Sequence, residues 1–113
     1  MSSIMIDVHT DENKIPETLA WHSSSNDQQG PQKAKAMMLS LWDGAEKTVL
    51  RIDLWTKDMM VDEMNDFFFQ TMMLMADTYG RATKQTELVG EMKDFAKQFY
   101  QKSREKQRAE NGA

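Results

Sequence analysis

The chain contains no cysteine. That excludes a disulfide scaffold, a thiolate zinc site and a cysteine nucleophile. Histidine is also scarce, with only His9 and His22. His9 shares a strand face with Asp7, but a half-exposed His–Asp pair is ordinary surface chemistry, and His22 stands alone. The five glycines are scattered. None builds a phosphate-binding loop, a dinucleotide fingerprint or a G-x-S-x-G elbow. No apolar run approaches the roughly 20 residues that span a bilayer. The most apolar stretch, Phe67–Ala76, is already broken by Gln70 and Thr71. The N-terminal residues lack a basic segment, and Asp7 interrupts their apolar run, so no cleavable signal is read and a cytoplasmic location is expected. With a net charge of −4, nucleic acid is not an expected partner.

What is present fits one small domain covering residues 1–113. Hydrophobic residues make up 40% and charged residues 28%, which is not a disordered composition. A chain this long buries roughly two-thirds of the surface it exposes when unfolded. Charge is uneven: acids prevail in residues 1–32, while Lys97, Lys102, Arg104, Lys106 and Arg108 enrich the last turns in bases.

The first half carries period-two patterning. Ile4, Ile6 and Val8 alternate with Met5, Asp7 and His9, predicting a strand over 4–10. A short strand follows at 18–22, then a polar loop over 23–32. Residues 34–42 and 49–57 predict a hairpin, because Asp43-Gly44 between alternating apolar runs is a turn signal. Alternation sets its register: Leu41 opposite Leu50, Leu39 opposite Ile52, Met37 opposite Leu54. Those six side chains form the expected core face. The other face then holds Met38, Trp42, Arg51, Asp53 and Trp55.

After residue 58 the period becomes helical. Asp58 is the expected N-cap of a helix over 59–83 with apolar residues at three- and four-residue spacing. Phe69 and Met73 fall off that stripe. A second helix is predicted over 87–102, with Thr86 as its cap, a stripe of Leu88, Met92, Phe95 and Phe99, and a frayed tail over 103–113. Strands in one run and helices in another predict an α+β fold: a four-stranded antiparallel sheet followed by two helices packed on one face, in the order β-β-β-β-α-α.

No catalytic residue, metal site or cofactor site emerges. Asp11-Glu12-Asn13 opens like an acidic calcium loop but lacks the later glycine and glutamate. The informative features are apolar. Met38, Trp42, Arg51, Asp53 and Trp55 lie opposite the expected core, and Trp, Met and Arg are enriched in protein interfaces. Six of the 11 methionines fall within residues 59–75, and Phe69 and Met73 there lack an obvious cover. The residues predict a protein-binding module that self-associates, most simply as a homodimer.

The block KAMMLSLWDGAEKTVLRIDLWTKDMMVDEMNDFFFQTMMLMADTYGRAT, with DENKIPETLAW before it and EMKDFAKQF after it, resembles the gliding motility-associated protein C (GldC) family of Bacteroidota. The resemblance spans roughly residues 4–100. It implies an accessory of the gliding machinery, with protein partners there and without catalytic residues or a cofactor. In element order alone, the chain also looks like the export chaperone SecB. That likeness implies a secretion-linked module that binds unfolded chains.

Overall fold

The computed structural model describes residues 1–25 and 30–111. The fold is α+β. Its elements are β1 (Ile4–Thr10), β2 (Pro16–Ser23), β3 (Gln32–Ala34), β4 (Ala36–Asp43), β5 (Thr48–Trp55), α1 (Val61–Thr83) and α2 (Thr86–Glu110). Contacts divide the chain into two compact units, Met1–Met59 with the strands and Met60–Ala113 with the helices. Part of the expected polar loop, residues 26–29, and the last two residues of the expected tail lie outside the described residues.

The strand count differs from expectation. Among the described residues five strands form two antiparallel sheets, β1-β2-β3 and β4-β5, instead of one sheet of four. The third expected strand is interrupted at Lys35. Ahead of it, Ala34 pairs with Leu19 of β2. Beyond it, Ala36 pairs with Trp55 of β5. The Lys35 carbonyl accepts the Thr56 N–H at 2.8 Å, so the backbone exchanges one partner strand for another within a single residue.

The turn between β1 and β2 is built on Asp11. Its Oδ1 accepts the N–H groups of Asn13 at 2.8 Å and Ile15 at 3.0 Å, an Asx arrangement, while Lys14 takes the left-handed conformation at φ 65°. Lys57 Nζ reaches Asp11 Oδ2 at 3.2 Å and Glu17 Oε1 at 3.0 Å. The Ile15 N–H foremost, with Lys57 and the Asn13 N–H, holds the Asp11 carboxyl below the usual carboxylate range, together outweighing the opposing effect of desolvation. A carboxylate depressed in the folded state contributes stability above its unfolded pKa of about 3.9 and loses it as pH falls through the lower folded value. Thermal midpoints of the wild type should therefore fall from about pH 4 downward. Asp11→Asn keeps the turn acceptor and loses the charge, so its midpoint should start lower and change less over that window. Parallel curves for the two proteins would contradict this role.

The β4–β5 hairpin has the register its alternation predicts: Leu41 opposite Leu50, Leu39 opposite Ile52, Met37 opposite Leu54 and Trp42 opposite Val49. Its turn works differently from an Asp-Gly turn. Asp43 Oδ1 accepts the Ala45 and Glu46 N–H groups at 3.0 and 3.3 Å. The left-handed residue is Lys47, at φ 54°, and not Gly44. The signal at Asp43 is a side-chain acceptor, not a glycine.

Helix α1 starts at Val61, not at 59, because Asp58 is engaged elsewhere: its Oδ1 accepts the Thr56 hydroxyl. The cap position falls to Met60, whose N–H donates to Glu63 Oε1 at 3.1 Å. Lys84 ends α1 in the left-handed conformation at φ 64°, its N–H donating to the Gly80 carbonyl at 2.9 Å. Glycine is the usual residue in such a position. Lys84→Gly should stabilise the protein by about 0.5–1 kcal/mol, the left-handed penalty less the added freedom of the unfolded chain. A lowered denaturation midpoint would contradict it.

The two helices run antiparallel. Phe69 stacks on Tyr100 with ring centroids 4.5 Å apart, Asp77 pairs with Lys93 at 2.7 Å, and a Cβ on Gly80 would stand 3.0 Å from Val89 Cγ2. Ala76 and Ala96 are fully enclosed; small residues let the two backbones come close. Thr86 lies in the first turn of α2, with Gln85 at the cap position. The helix continues through residues expected as tail, where Ser103 Oγ donates to the Tyr100 carbonyl at 2.8 Å and Arg104 lies over the Tyr100 ring.

Candidate protein interface

The hairpin register decides which side chains share a face. Ala36, Met38, Ser40 and Trp42 of β4 align with Trp55, Asp53, Arg51 and Val49 of β5. In the middle, Arg51 is fixed by three bonds. Its Nη1 donates to Ser40 Oγ at 2.6 Å, its Nε to Asp53 Oδ2 at 3.1 Å and its Nη2 to Asp53 Oδ1 at 2.7 Å. This two-pronged bond holds the Asp53 carboxyl below its ordinary range and raises the Arg51 guanidinium. The fork is a planar, charged plate between two tryptophans. Trp42 is 69% exposed and Trp55 56%, while Met38 is half-buried.

The opposite face corrects an expectation. Its six aliphatic residues were expected as core, yet Leu41, Leu50 and Ile52 are 55%, 53% and 51% exposed. Met37, Leu39 and Leu54 are half-buried. Both faces of the hairpin therefore present large apolar side chains to solvent. Among the described residues, the buried apolar ones are Leu19, Ala76 and Ala96. A two-stranded ribbon has little stability of its own. One with apolar side chains on both faces presents a surface suited to a partner.

On the helices, the two residues singled out from sequence sit differently. Phe69 is half-buried and stacked on Tyr100, and Met73 is half-buried. A set of exposed and half-buried apolar side chains lies nearby. Met72, Met75, Tyr79, Leu88, Met92 and Phe95, together with Glu91, line a largely apolar groove of about 560 Å³. Sequence reasoning placed these residues on core-facing stripes. The signal it had was the nearly all-round apolar middle of α1, which does not say which flank the second helix leaves open. No group of three or more His, Asp or Glu among the described residues is arranged to hold a metal ion. No helix there is long and apolar enough to cross a membrane.

A family model for gliding motility-associated GldC-like proteins matches residues 16–105. The chain belongs to the GldC-like family. The match runs from β2 into α2, so the apolar hairpin and the helix pair are both inside the GldC-like region, and β1 is outside it. This confirms the family expected from the hairpin and helix motifs and associates the chain with gliding motility. No curated protein and no solved structure matches the chain.

Proposed function

We propose that this GldC-like protein is a non-catalytic, cytoplasmic accessory of the gliding machinery that works by presenting its β4–β5 hairpin to other proteins, including a second copy of itself. The observation that carries this reading is the hairpin with apolar side chains exposed on both faces and a rigid Arg51–Asp53 fork between Trp42 and Trp55. Trp and Arg dominate binding energies where they sit centrally in an interface. The proposed contact residues are Met38, Trp42, Arg51, Asp53 and Trp55, with Phe69 and Met73 of α1 as a secondary patch. The test compares wild type with a Trp42→Ala/Arg51→Ala/Trp55→Ala variant that circular dichroism finds folded. Light scattering should give a multiple of the protomer mass for wild type only. Capture of gliding-machinery proteins from the native host should be lost in the variant. A folded variant that keeps the same mass and the same partners moves the working surface elsewhere.

A second reading is favoured by the helix groove. A chaperone-like module that holds unfolded or exported chains needs an adaptable apolar channel, and methionine-rich walls suit varied occupants. The SecB analogy behind it rests on element order. In that case the protein slows aggregation of a denatured client, and Phe95→Asp, which places a charge in the groove, abolishes the effect while leaving hairpin-dependent partners bound.

A further inference from the structure

The hairpin offers a second copy more than two apolar faces. Its β5 strand is an edge: β4 pairs with one side, and no other strand meets the second side among the described residues. Which backbone groups point outward follows from the register. Thr56 donates to Lys35 in continuation of the β4–β5 ladder. The even-numbered residues of β5 therefore bond to β4, and Val49, Arg51, Asp53 and Trp55 direct their N–H and C=O groups to the open edge. An unpaired edge of this kind is a template for another strand.

We infer that two copies of this chain join by antiparallel pairing of β5 with β5 of the second copy, with Ile52 at the two-fold axis and Arg51 of each copy opposite Asp53 of the other. This rests on, and gives a geometry to, the self-association in the function proposed above. Charge complementarity selects the register. Outward-pointing groups are on odd residues, so the axis must pass through a residue, which pairs odd with odd, and not between residues, which would pair odd with even. Centring on Arg51 or on Asp53 sets like charges against each other, which opposes pairing. Centring on Ile52 sets Arg51 against Asp53 twice. It also sets Leu50 against Leu54, and Val49 against Trp55. The two intrastrand forks then merge into an alternating square of charge, flanked on each side by Trp55 of one copy facing Val49 of the other. The two hairpins become one four-stranded sheet, and the twofold symmetry closes the assembly at two copies.

Two experiments test this in the full chain. The first uses charge reversal. Arg51→Asp carries acids at 51 and 53, and Asp53→Arg carries bases at both, so each variant repels itself across the edge. Each should self-associate at least about tenfold more weakly than wild type. In a mixture, the acids of one variant face the bases of the other, and a heterodimer should form although the intrastrand fork stays broken in both. Sedimentation velocity of each variant and of the mixture reads the result. A mixture that behaves as the sum of its parts overturns the inference.

The second experiment exploits the absence of cysteine. Opposed residues at a non-hydrogen-bonded position have Cα atoms about 4.5 Å apart, within reach of a disulfide. Ile52→Cys should therefore oxidise to a covalent dimer. Leu50→Cys should not, since its two copies would stand about 13 Å apart along the strands. If the wild type self-associates but Ile52→Cys does not link through position 52, the strand pairing is overturned and the proposed function stands. A strictly monomeric wild type overturns both the pairing and the self-association.

Discussion

Leu19→Ala is expected to lower the unfolding free energy by about 2–5 kcal/mol, the range for emptying a packed core position. Leu19 is the largest fully buried side chain, 2% exposed. It sits in β2 between Val8 of β1 and Ala34 of β3, the point where three strands meet. Among the described residues no other large apolar side chain is as enclosed, so Leu19 loses the most burial on truncation. Ile52→Ala provides the contrast. Half of that side chain already meets water, and its removal from a dilute protomer should cost about 1 kcal/mol or less. If Ile52 lies on the axis of a dimer, its cost grows with protein concentration, because assembly stabilises the folded state by mass action. That of Leu19→Ala does not. Urea midpoints at two protein concentrations separate the cases. Equal losses for both variants at high dilution would place the aliphatic hairpin face in the core.

The parts of the fold legible in the sequence were those written in side chains. Period two over 34–42 and 49–57 set the hairpin register residue by residue, because a slip by one would exchange the tryptophan and leucine faces. The change to helical spacing after residue 58 was equally plain, although the helix itself begins at Val61. The break at Lys35 was not. Strand exchange there is a change of backbone partner, and neighbouring Ala34 and Ala36 carry no side-chain signal of it. Caps were misplaced for a similar reason. Asp58 has the right chemistry for an N-cap, but the Thr56 hydroxyl claims its carboxylate. Lys14, Lys47 and Lys84 hold left-handed positions where glycine or asparagine is the usual sign. The candidate interface was half legible. Alternation grouped Trp42, Arg51, Asp53 and Trp55, and the Arg51–Asp53 fork follows from their spacing on one strand. Exposure of the leucine face was hidden, since a core face and an apolar face awaiting a partner have the same sequence pattern.

The same limit applies to the helices, where small residues carry more of the packing than large ones. Ala96→Leu is expected to destabilise the helix pair by about 1–3 kcal/mol, or to force the helices apart. Ala96 and Ala76 are both at 0% exposure, and the backbones near them approach closely enough that even a methyl on Gly80 would press on Val89. Three additional carbons at Ala96 have no free volume to occupy. Leucine is nearly as good a helix former as alanine, so any loss comes from the interhelical contact and not from propensity. Ala109→Leu supplies the control, because Ala109 is exposed and a surface change there should shift stability by less than about 0.5 kcal/mol. Thermal melts followed at the helical circular dichroism band compare the two. The Phe69–Tyr100 stack and the Asp77–Lys93 pair lie on either side of Ala96 along the crossing, so a leucine that wedges the helices apart weakens both contacts together. Parallel melts for Ala96→Leu and Ala109→Leu would mean that the two helices separate at this point without cost, and that the close approach at Gly80 does not hold them.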